Sequence, residues 1–169
     1  MRSRTFSTLA LVTALTVVAN ATAQDGESKP VPCSSKQHRA FDFWIGEWDV
    51  TAPAREGWRA RSSISLGNNS CSLHEDYSSP GGYAGRSINF YDAKKNTWHQ
   101  TWIDNQGAPL YLEGEPTDQG MTLSDGTNRI TWTLLPDGRV RQHWQVNQGE
   151  GANWSTAFDG YYQRRNDSP

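Results

Sequence analysis

The side chains in this sequence that could bind a ligand or transfer a proton lie beside tryptophans. Gln100 falls between Trp98 and Trp102, and Gln142 lies two residues before Trp144. Residues two apart share one face of a β-strand, so each glutamine would share a face with indole rings. Apolar walls with a few convergent polar groups are typical of small-molecule sites. The pattern therefore predicts a ligand site in the interior of a β-structure.

Two further polar residues could join this site from neighbouring runs, Glu75 in CSLHEDY and Asn89 in SINFY. The predicted ligand-binding residues are Glu75, Asn89, Gln100, Trp102, Trp132, Gln142 and Trp144. The alternative is that the eight tryptophans fill a compact core, with the glutamines accepting hydrogen bonds from the indole N–H groups. The residues alone leave both interpretations open.

No known catalytic pattern is present in the sequence. It contains no GxSxG, HExxH, phosphate-binding loop or dinucleotide fingerprint, and its histidines, His38, His74, His99 and His143, lack zinc-site spacing. We therefore assign no catalytic residue, no cofactor and no metal. An enzymatic alternative remains open, in which Glu75 or Asp104 serves as an acid whose pKa is raised by desolvation.

The chain that must position these residues reads as a series of short strands. Strand-like runs cover 43–51, 58–66, 71–78, 83–92, 97–104, 109–115, 120–124, 128–135, 139–147 and 153–164, separated by turn residues. Period-two alternation with short connections predicts antiparallel neighbours, and a long meander avoids exposed edges by closing on itself. We predict an all-β, antiparallel up-and-down β-barrel of about 8–10 strands, with a two-sheet sandwich as the alternative. We expect β-bulges near Gly85 or Gly114.

The first residues read as a targeting segment rather than as part of the fold. Arg2 and Arg4 precede an apolar run at 9–18 and the small-residue pattern Ala21-Thr22-Ala23. This predicts a signal peptide over 1–23, cleaved near Ala23, since the run is shorter than a bilayer of about 30 Å requires. The mature protein is expected to be soluble and exported, to the periplasm or the extracellular space.

The remaining chain divides simply. We expect a leader with a short helical turn over 24–40, one barrel domain over 41–165 and a tail over 166–169. A formal net charge of −2, without a basic run, argues against nucleic-acid and membrane-surface partners. A small apolar ligand is the expected partner, and the sequence leaves the oligomeric state open.

The two cysteines, Cys33 and Cys71, are expected to pair in an oxidising compartment. Such a bridge would pin the N-terminal segment to a later strand and contribute roughly 4 kcal/mol in the chain-entropy account. The alternative of a cysteine nucleophile has no motif in its favour.

The segment FDFWIGEWDV resembles the G-x-W start of lipocalins and the wider calycin barrels. In those proteins the tryptophan packs at the closed end of the barrel and a late arginine packs across it. Gly46 and Trp48 match, and Arg164 or Arg165 could supply the arginine, although both could equally be solvent-exposed charges. We expect Trp48 to plug one end, with Trp44 extending the plug from the same strand face.

A longer resemblance is to an uncharacterised group of exported bacterial proteins. It is carried by HRAFDFWIGEWDV, CSLHE, SINFYD, WHQTWID, ITWTLLPDGRVRQHW and FDGYYQRR, which together span nearly the whole predicted mature chain. The resemblance implies a calycin-like barrel and transfers no catalytic residue. We expect a small, largely apolar molecule to bind in the lumen; the alternatives are a lumen-based isomerase or cyclase and an envelope protein with a filled barrel.

Overall fold

Ten antiparallel strands close into one barrel in a computed structural model of the chain, which describes residues 31–149, 151 and 153–165. The strands are β1 (Gly46–Thr51), β2 (Arg59–Gly67), β3 (Ser72–Ser78), β4 (Ala84–Asp92), β5 (Thr97–Asp104), β6 (Pro109–Thr117), β7 (Gly120–Ser124), β8 (Asn128–Leu134), β9 (Val140–Asn147) and β10 (Trp154–Arg164). The predicted signal peptide, residues 24–30 of the leader and the tail 166–169 lie outside the described residues.

Each strand pairs with the next along the chain, and β1 pairs with β10. This confirms the predicted up-and-down barrel and excludes the two-sheet alternative.

The turns follow from local chemistry. Asp92, for example, accepts backbone N–H bonds from Lys94 and Lys95 at 2.8 and 3.2 Å, and Asn96 takes a φ of +55° that asparagine tolerates better than most residues.

The expected bulges near Gly85 and Gly114 are wrong. Both glycines keep regular register, opposite Asp104 and Trp98 respectively, and the register shift lies instead in β10, between Thr156 and Phe158. The two glycines instead allow neighbouring groups to pack closely against the backbone. A Cβ at Gly85 would lie 2.2 Å from the Trp102 ring, and one at Gly114 would lie 2.2 Å from the Thr122 carbonyl oxygen.

Residues 31–45, which we call the cap, cover one end of the barrel. We call this end the capped end. Turns occupy most of the segment predicted to be helical over 34–40, and a 3₁₀ helix spans Asp42–Trp44. The expectation that Trp44 shares a strand face with Trp48 is therefore wrong. Gly46, with a φ of +144° that L-residues rarely adopt, redirects the chain between the two tryptophans. The Phe41 and Trp44 rings stack at 5.1 Å and are fully buried.

The cap is tied to the barrel by a covalent bond and by hydrogen bonds. Cys33 and Cys71 form the predicted disulfide, joining the cap to the turn between β2 and β3. The Arg39 guanidinium donates to the carbonyl of Ser70 in the same turn. The Trp98 indole N–H donates to the Gln37 carbonyl at 3.0 Å. These bonds fix the cap over the strand ends.

The seam between the first and last strands is reinforced at the capped end. Trp48 pairs with Arg164 across β1 and β10, and the Arg164 guanidinium carbon lies 4.4 Å from the Trp48 ring centroid. The Trp48 indole N–H donates to the Trp44 carbonyl at 2.9 Å. A Cβ at Gly46 would lie 2.3 Å from a terminal nitrogen of Arg164. The G-x-W segment thus joins the cap, the first strand and the last strand.

Among the described residues, no helix combines the length and apolar character needed to cross a membrane.

Candidate functional site

The barrel contains a cavity of about 450 Å³ at the end opposite the cap, which we call the open end. The loops after β1, β3 and β5 contribute to its rim through Arg55, Ser79, Pro80 and Ala108. The aromatic part of its wall comprises Trp58, Tyr77, Tyr83, Trp102, Trp144 and Phe158, and its polar part includes Glu75, Gln100, Gln142 and Tyr162. The composition matches the aromatic wall with few polar groups that ligand sites usually have.

Strand register explains why these side chains meet. Glu75 on β3 lies opposite Ser87 on β4, and Ser87 lies opposite Trp102 on β5. Directly opposite residues of an antiparallel pair project to the same face. One inward residue on each strand therefore places a carboxylate, a hydroxyl and an indole in one row of the lumen. Trp144 lies opposite Phe158 in the same way.

Glu75 is held by two hydroxyl groups. Its Oε1 accepts a hydrogen bond from the Ser62 hydroxyl at 2.9 Å, and its Oε2 accepts one from the Ser87 hydroxyl at 3.1 Å. The side chain is only 5% exposed, and both serines are buried. The carboxyl group is thus fixed in position by neutral donors.

An amide chain extends this network away from Glu75. Asn89 donates to the Ser87 hydroxyl at 2.9 Å and to the Leu73 carbonyl at 3.2 Å. Gln100 donates to the Asn89 side-chain oxygen at 2.8 Å. Gln100 reaches the cavity wall while Asn89 lies behind it. The network orients one glutamine and one glutamate toward the same space.

Burial raises the pKa of Glu75 to about 7. Removing a carboxylate from water disfavours its charged form, and this effect outweighs the opposing hydrogen bonds from Ser62 and Ser87. The neighbouring Asp76 charge adds a smaller upward contribution. Glu75 is therefore a proton-exchanging group near neutral pH, placed on a cavity wall.

Two tyrosines supply neutral hydroxyl groups beside it. Burial raises the pKa of Tyr77 and of Tyr162 above the ordinary tyrosine value, so both remain protonated across the physiological range. The Tyr162 hydroxyl forms a hydrogen bond with the Gln142 side-chain oxygen. This leaves the Gln142 amide nitrogen as a donor on the wall.

The rim carries one positive and one negative side chain. The Arg55 guanidinium carbon lies 5.4 Å from the Trp58 ring centroid. Asp104 accepts backbone N–H bonds from Gln106 and Ala108, both at 2.9 Å, and these bonds lower its pKa. Asp104 is thus engaged in organising its own loop and stays ionised.

The structure brings together most of the residues predicted to bind a ligand. Glu75, Gln100, Trp102, Gln142 and Trp144 all line the cavity, with Asn89 immediately behind them. Trp132 lies instead in the core of the capped end, with its ring centroid 5.1 Å from that of Phe41. Neither Gln100 nor Gln142 bonds an indole in the described hydrogen bonds; Trp144, for example, donates to Asn128 at 3.0 Å.

Several residues of the site were not identified from the sequence. Ser62 and Ser87, the two donors to Glu75, lie behind the cavity wall on β2 and β4, and nothing in their sequence context distinguishes them from other serines. Tyr77 lies two residues after Glu75 and Ser87 two before Asn89, so the same-face rule applied to those strands would have identified both. Tyr162 and Phe158 come from the last strand, where the register shift obscures the alternation.

The histidines contribute nothing to the cavity. His99 stacks on Phe90 at 5.2 Å between centroids, and His143 hydrogen-bonds Thr156 at 3.0 Å. Within the part of the chain that the structure describes, no group of three or more histidine, cysteine, aspartate or glutamate side chains could hold a metal ion.

Comparison with known proteins adds no assignment. No family model matches the chain, and no curated protein is significantly similar to it. The barrel and its cavity are therefore the basis for any functional assignment.

Proposed function

We propose that the barrel binds a small, largely apolar molecule in the cavity at its open end. The observation that carries this proposal is the cavity of about 450 Å³, with seven aromatic rings on its wall, Tyr162 included, and an amide–carboxyl cluster on one side. Aromatic rings would supply most of the binding free energy, and Glu75, Gln100 and Gln142 would orient the ligand. The cavity also favours ligand binding over the alternative of a filled structural barrel.

The contrast between the two ends of the barrel supports this proposal. At the capped end, Phe41, Trp44, Trp48 and Trp132 are fully buried against one another. At the open end, Trp102 and Trp144 are only partly buried, because one side of each faces the cavity. Core packing alone explains the first group, whereas the second presents apolar surface to a space that a ligand can occupy.

A fluorescence titration with N-phenyl-1-naphthylamine, a neutral hydrophobic dye, tests the proposal. The dye should bind with saturable enhancement of its emission, and Trp102→Ala should weaken binding by about tenfold, or ~1.4 kcal/mol. Trp154→Ala is the matched control, since Trp154 packs against Arg129 at 4.1 Å and does not line the cavity. Absence of saturable binding, or equal losses in both variants, would contradict the proposal.

A lumen-based isomerase or cyclase is the second candidate, and one observation favours it. Glu75 combines a pKa of about 7 with a position on the cavity wall, and such a carboxyl can both accept and donate a proton at neutral pH. The test is to incubate molecules that bind with the purified protein and follow isomer formation by chromatography with mass detection. Turnover that survives in Glu75→Gln would remove Glu75 from that role.

We also propose that the protein is exported and belongs to the group of exported bacterial barrels that its motifs resemble. The Cys33–Cys71 disulfide supports an oxidising compartment, and the barrel fits the calycin-like architecture. Mass determination of the protein secreted by its host would place the cleavage site; an uncleaved N-terminus would contradict the predicted signal peptide.

A further inference from the structure

Glu75 is a buried carboxylate whose hydrogen-bond donors among the described residues are both neutral hydroxyl groups. Both oxygens accept hydroxyl hydrogens, from Ser62 and Ser87. None of the salt bridges among residues 31–149, 151 and 153–165 includes Glu75. Burying a charge without an opposite charge is costly. A cation that enters the cavity would therefore stabilise ionised Glu75 more than it would stabilise a carboxylate in water.

The cavity wall supplies little positive charge of its own. Among its described lining residues, Arg55 is the one lysine or arginine, and its guanidinium lies over the Trp58 ring at the rim. The remaining rim charge, Asp104, is negative. The interior therefore carries a carboxyl group with no built-in counter-ion, in a chain whose formal net charge is already −2.

The rings beside Glu75 have the electronic character that favours a cation. Tyr77 follows Glu75 by two residues on the same strand face, and its ring centroid lies 6.1 Å from that of Trp102. Aromatic faces attract ammonium groups within about 6 Å, most strongly where water is excluded. An ammonium group beside Glu75 would thus meet a carboxylate with aromatic rings close by, and its carbon chain would lie against the aromatic wall of the cavity.

We infer that the ligand is a small organic amine, with a protonated ammonium group that donates to the Glu75 carboxylate and an apolar or aromatic body that lies against Tyr77, Trp102 and Trp144. This inference rests on the proposed binding function and narrows its ligand class. It disfavours carboxylic acids, because an anion beside the Glu75 charge would be repelled, and Arg55, the one cation of the described lining, lies at the rim.

Three compounds of matched shape and different charge separate the possibilities. They are 2-phenylethylamine, propylbenzene and 3-phenylpropionate, tested as competitors of N-phenyl-1-naphthylamine at about pH 8, where a group with a pKa near 7 is mostly ionised. We expect the amine to bind at least about tenfold more tightly than propylbenzene, and the acid to bind most weakly. Glu75→Gln should abolish the preference for the amine while retaining propylbenzene, and Glu115→Gln, an exposed Glu→Gln change on β6, should leave the preference intact.

A second measurement uses only the unmodified protein. Between about pH 8 and pH 6, protonation of Glu75 should weaken binding of the amine by several-fold and leave propylbenzene unaffected. The other titratable groups that interact with Glu75 are Asp76, Tyr77, Tyr83 and Tyr162. The tyrosines stay protonated throughout this range because their pKa values are raised, and Asp76 is exposed on the outer face.

Each outcome has a definite reading. Equal or tighter binding of propylbenzene, or an amine preference that persists in Glu75→Gln, overturns the amine inference and leaves ligand binding intact. Failure of the dye and of all three compounds to bind overturns both the inference and the proposed function. If Glu75→Gln does not fold, the charge series and its pH dependence in the unmodified protein still decide the question.

Discussion

At the scale of single residues, Glu75 links the cavity to the stability of the barrel. Its pKa is raised from 4.5 to about 7 in the folded protein, so the folded state binds the proton more tightly than the unfolded chain. The resulting stabilisation is complete below about pH 4.5 and is lost as pH rises to about 7. We predict that Glu75→Gln removes this loss and is more stable than the unmodified protein above pH 7, by on the order of 3 kcal/mol.

Urea denaturation of both proteins from about pH 4 to pH 8 checks this prediction. The difference between the two free energies of unfolding isolates Glu75 from the other titrating groups. Glu115→Gln should follow the unmodified protein throughout, since Glu115 is exposed. A pH-independent difference between Glu75→Gln and the unmodified protein would show that the carboxyl is solvated like an ordinary glutamate.

Trp48 gives a second prediction at this scale. Its side chain is fully buried, packs against Tyr162 at 6.3 Å between centroids and carries Arg164 on its face. We predict that Trp48→Ala lowers the free energy of unfolding by about 3–5 kcal/mol, measured by urea denaturation. Trp154→Ala should cost much less, because Trp154 is only partly buried. A Trp48→Ala protein as stable as its parent would contradict the structural role of the G-x-W segment.

At the scale of elements, the packing of β4 against β5 shapes the cavity wall. An added Cβ at Gly85 would lie 2.2 Å from the Trp102 ring and 2.8 Å from the Ile103 carbonyl oxygen. We predict that Gly85→Ala displaces Trp102, destabilising the barrel by about 1–3 kcal/mol and weakening dye binding. The same change should cost less in a Trp102→Ala background, where the ring is absent. Equal costs in the two backgrounds would show that the two residues are not coupled.

The strands were largely predictable from the sequence, because the patterns that define them involve only residues close together in the chain. Period-two alternation and turn residues such as those at 92–96 act within a few positions, so all ten strands were expected close to where they lie. The path of the cap is not local. The alternation alone predicts a strand at Trp44, because it contains no sign that Gly46 redirects the chain. The register shift in β10 lies just before Phe158, whose ring fills the space beside Gly160.

The sequence predicts which side chains of the candidate site face the lumen, but not how far along the barrel axis they lie. Alternation indicates whether a residue faces the lumen, and it placed Gln100, Trp102 and Trp144 correctly inside. It does not indicate the height of that residue along the barrel axis. Trp132 also faces inward, but it lies at the level of Phe41 and Trp44 and so belongs to the filled end. Height depends on strand stagger, which the pairing of all ten strands sets together.

At the scale of the whole molecule, the closely packed cap and the cavity lie at opposite ends of the barrel axis. The capped end contains the disulfide, the Phe41–Trp44 stack and the Trp48–Arg164 contact, whereas the open end contains the cavity. We predict that Cys33→Ser/Cys71→Ser lowers the free energy of unfolding by up to about 4 kcal/mol, since the enclosed loop is no longer constrained in the unfolded chain. Urea denaturation measures this loss.

The same variant should retain ligand binding. Under conditions in which it remains folded, its affinity for N-phenyl-1-naphthylamine should stay within about twofold of the parent value, or ~0.4 kcal/mol, because the cysteines lie at the capped end and do not contribute to the cavity wall. Trp102→Ala should show the reverse pattern, with a larger loss of affinity. Loss of affinity in the cysteine variant while it is still fully folded would mean that the cap shapes the cavity, and that the two ends of the barrel act as one unit.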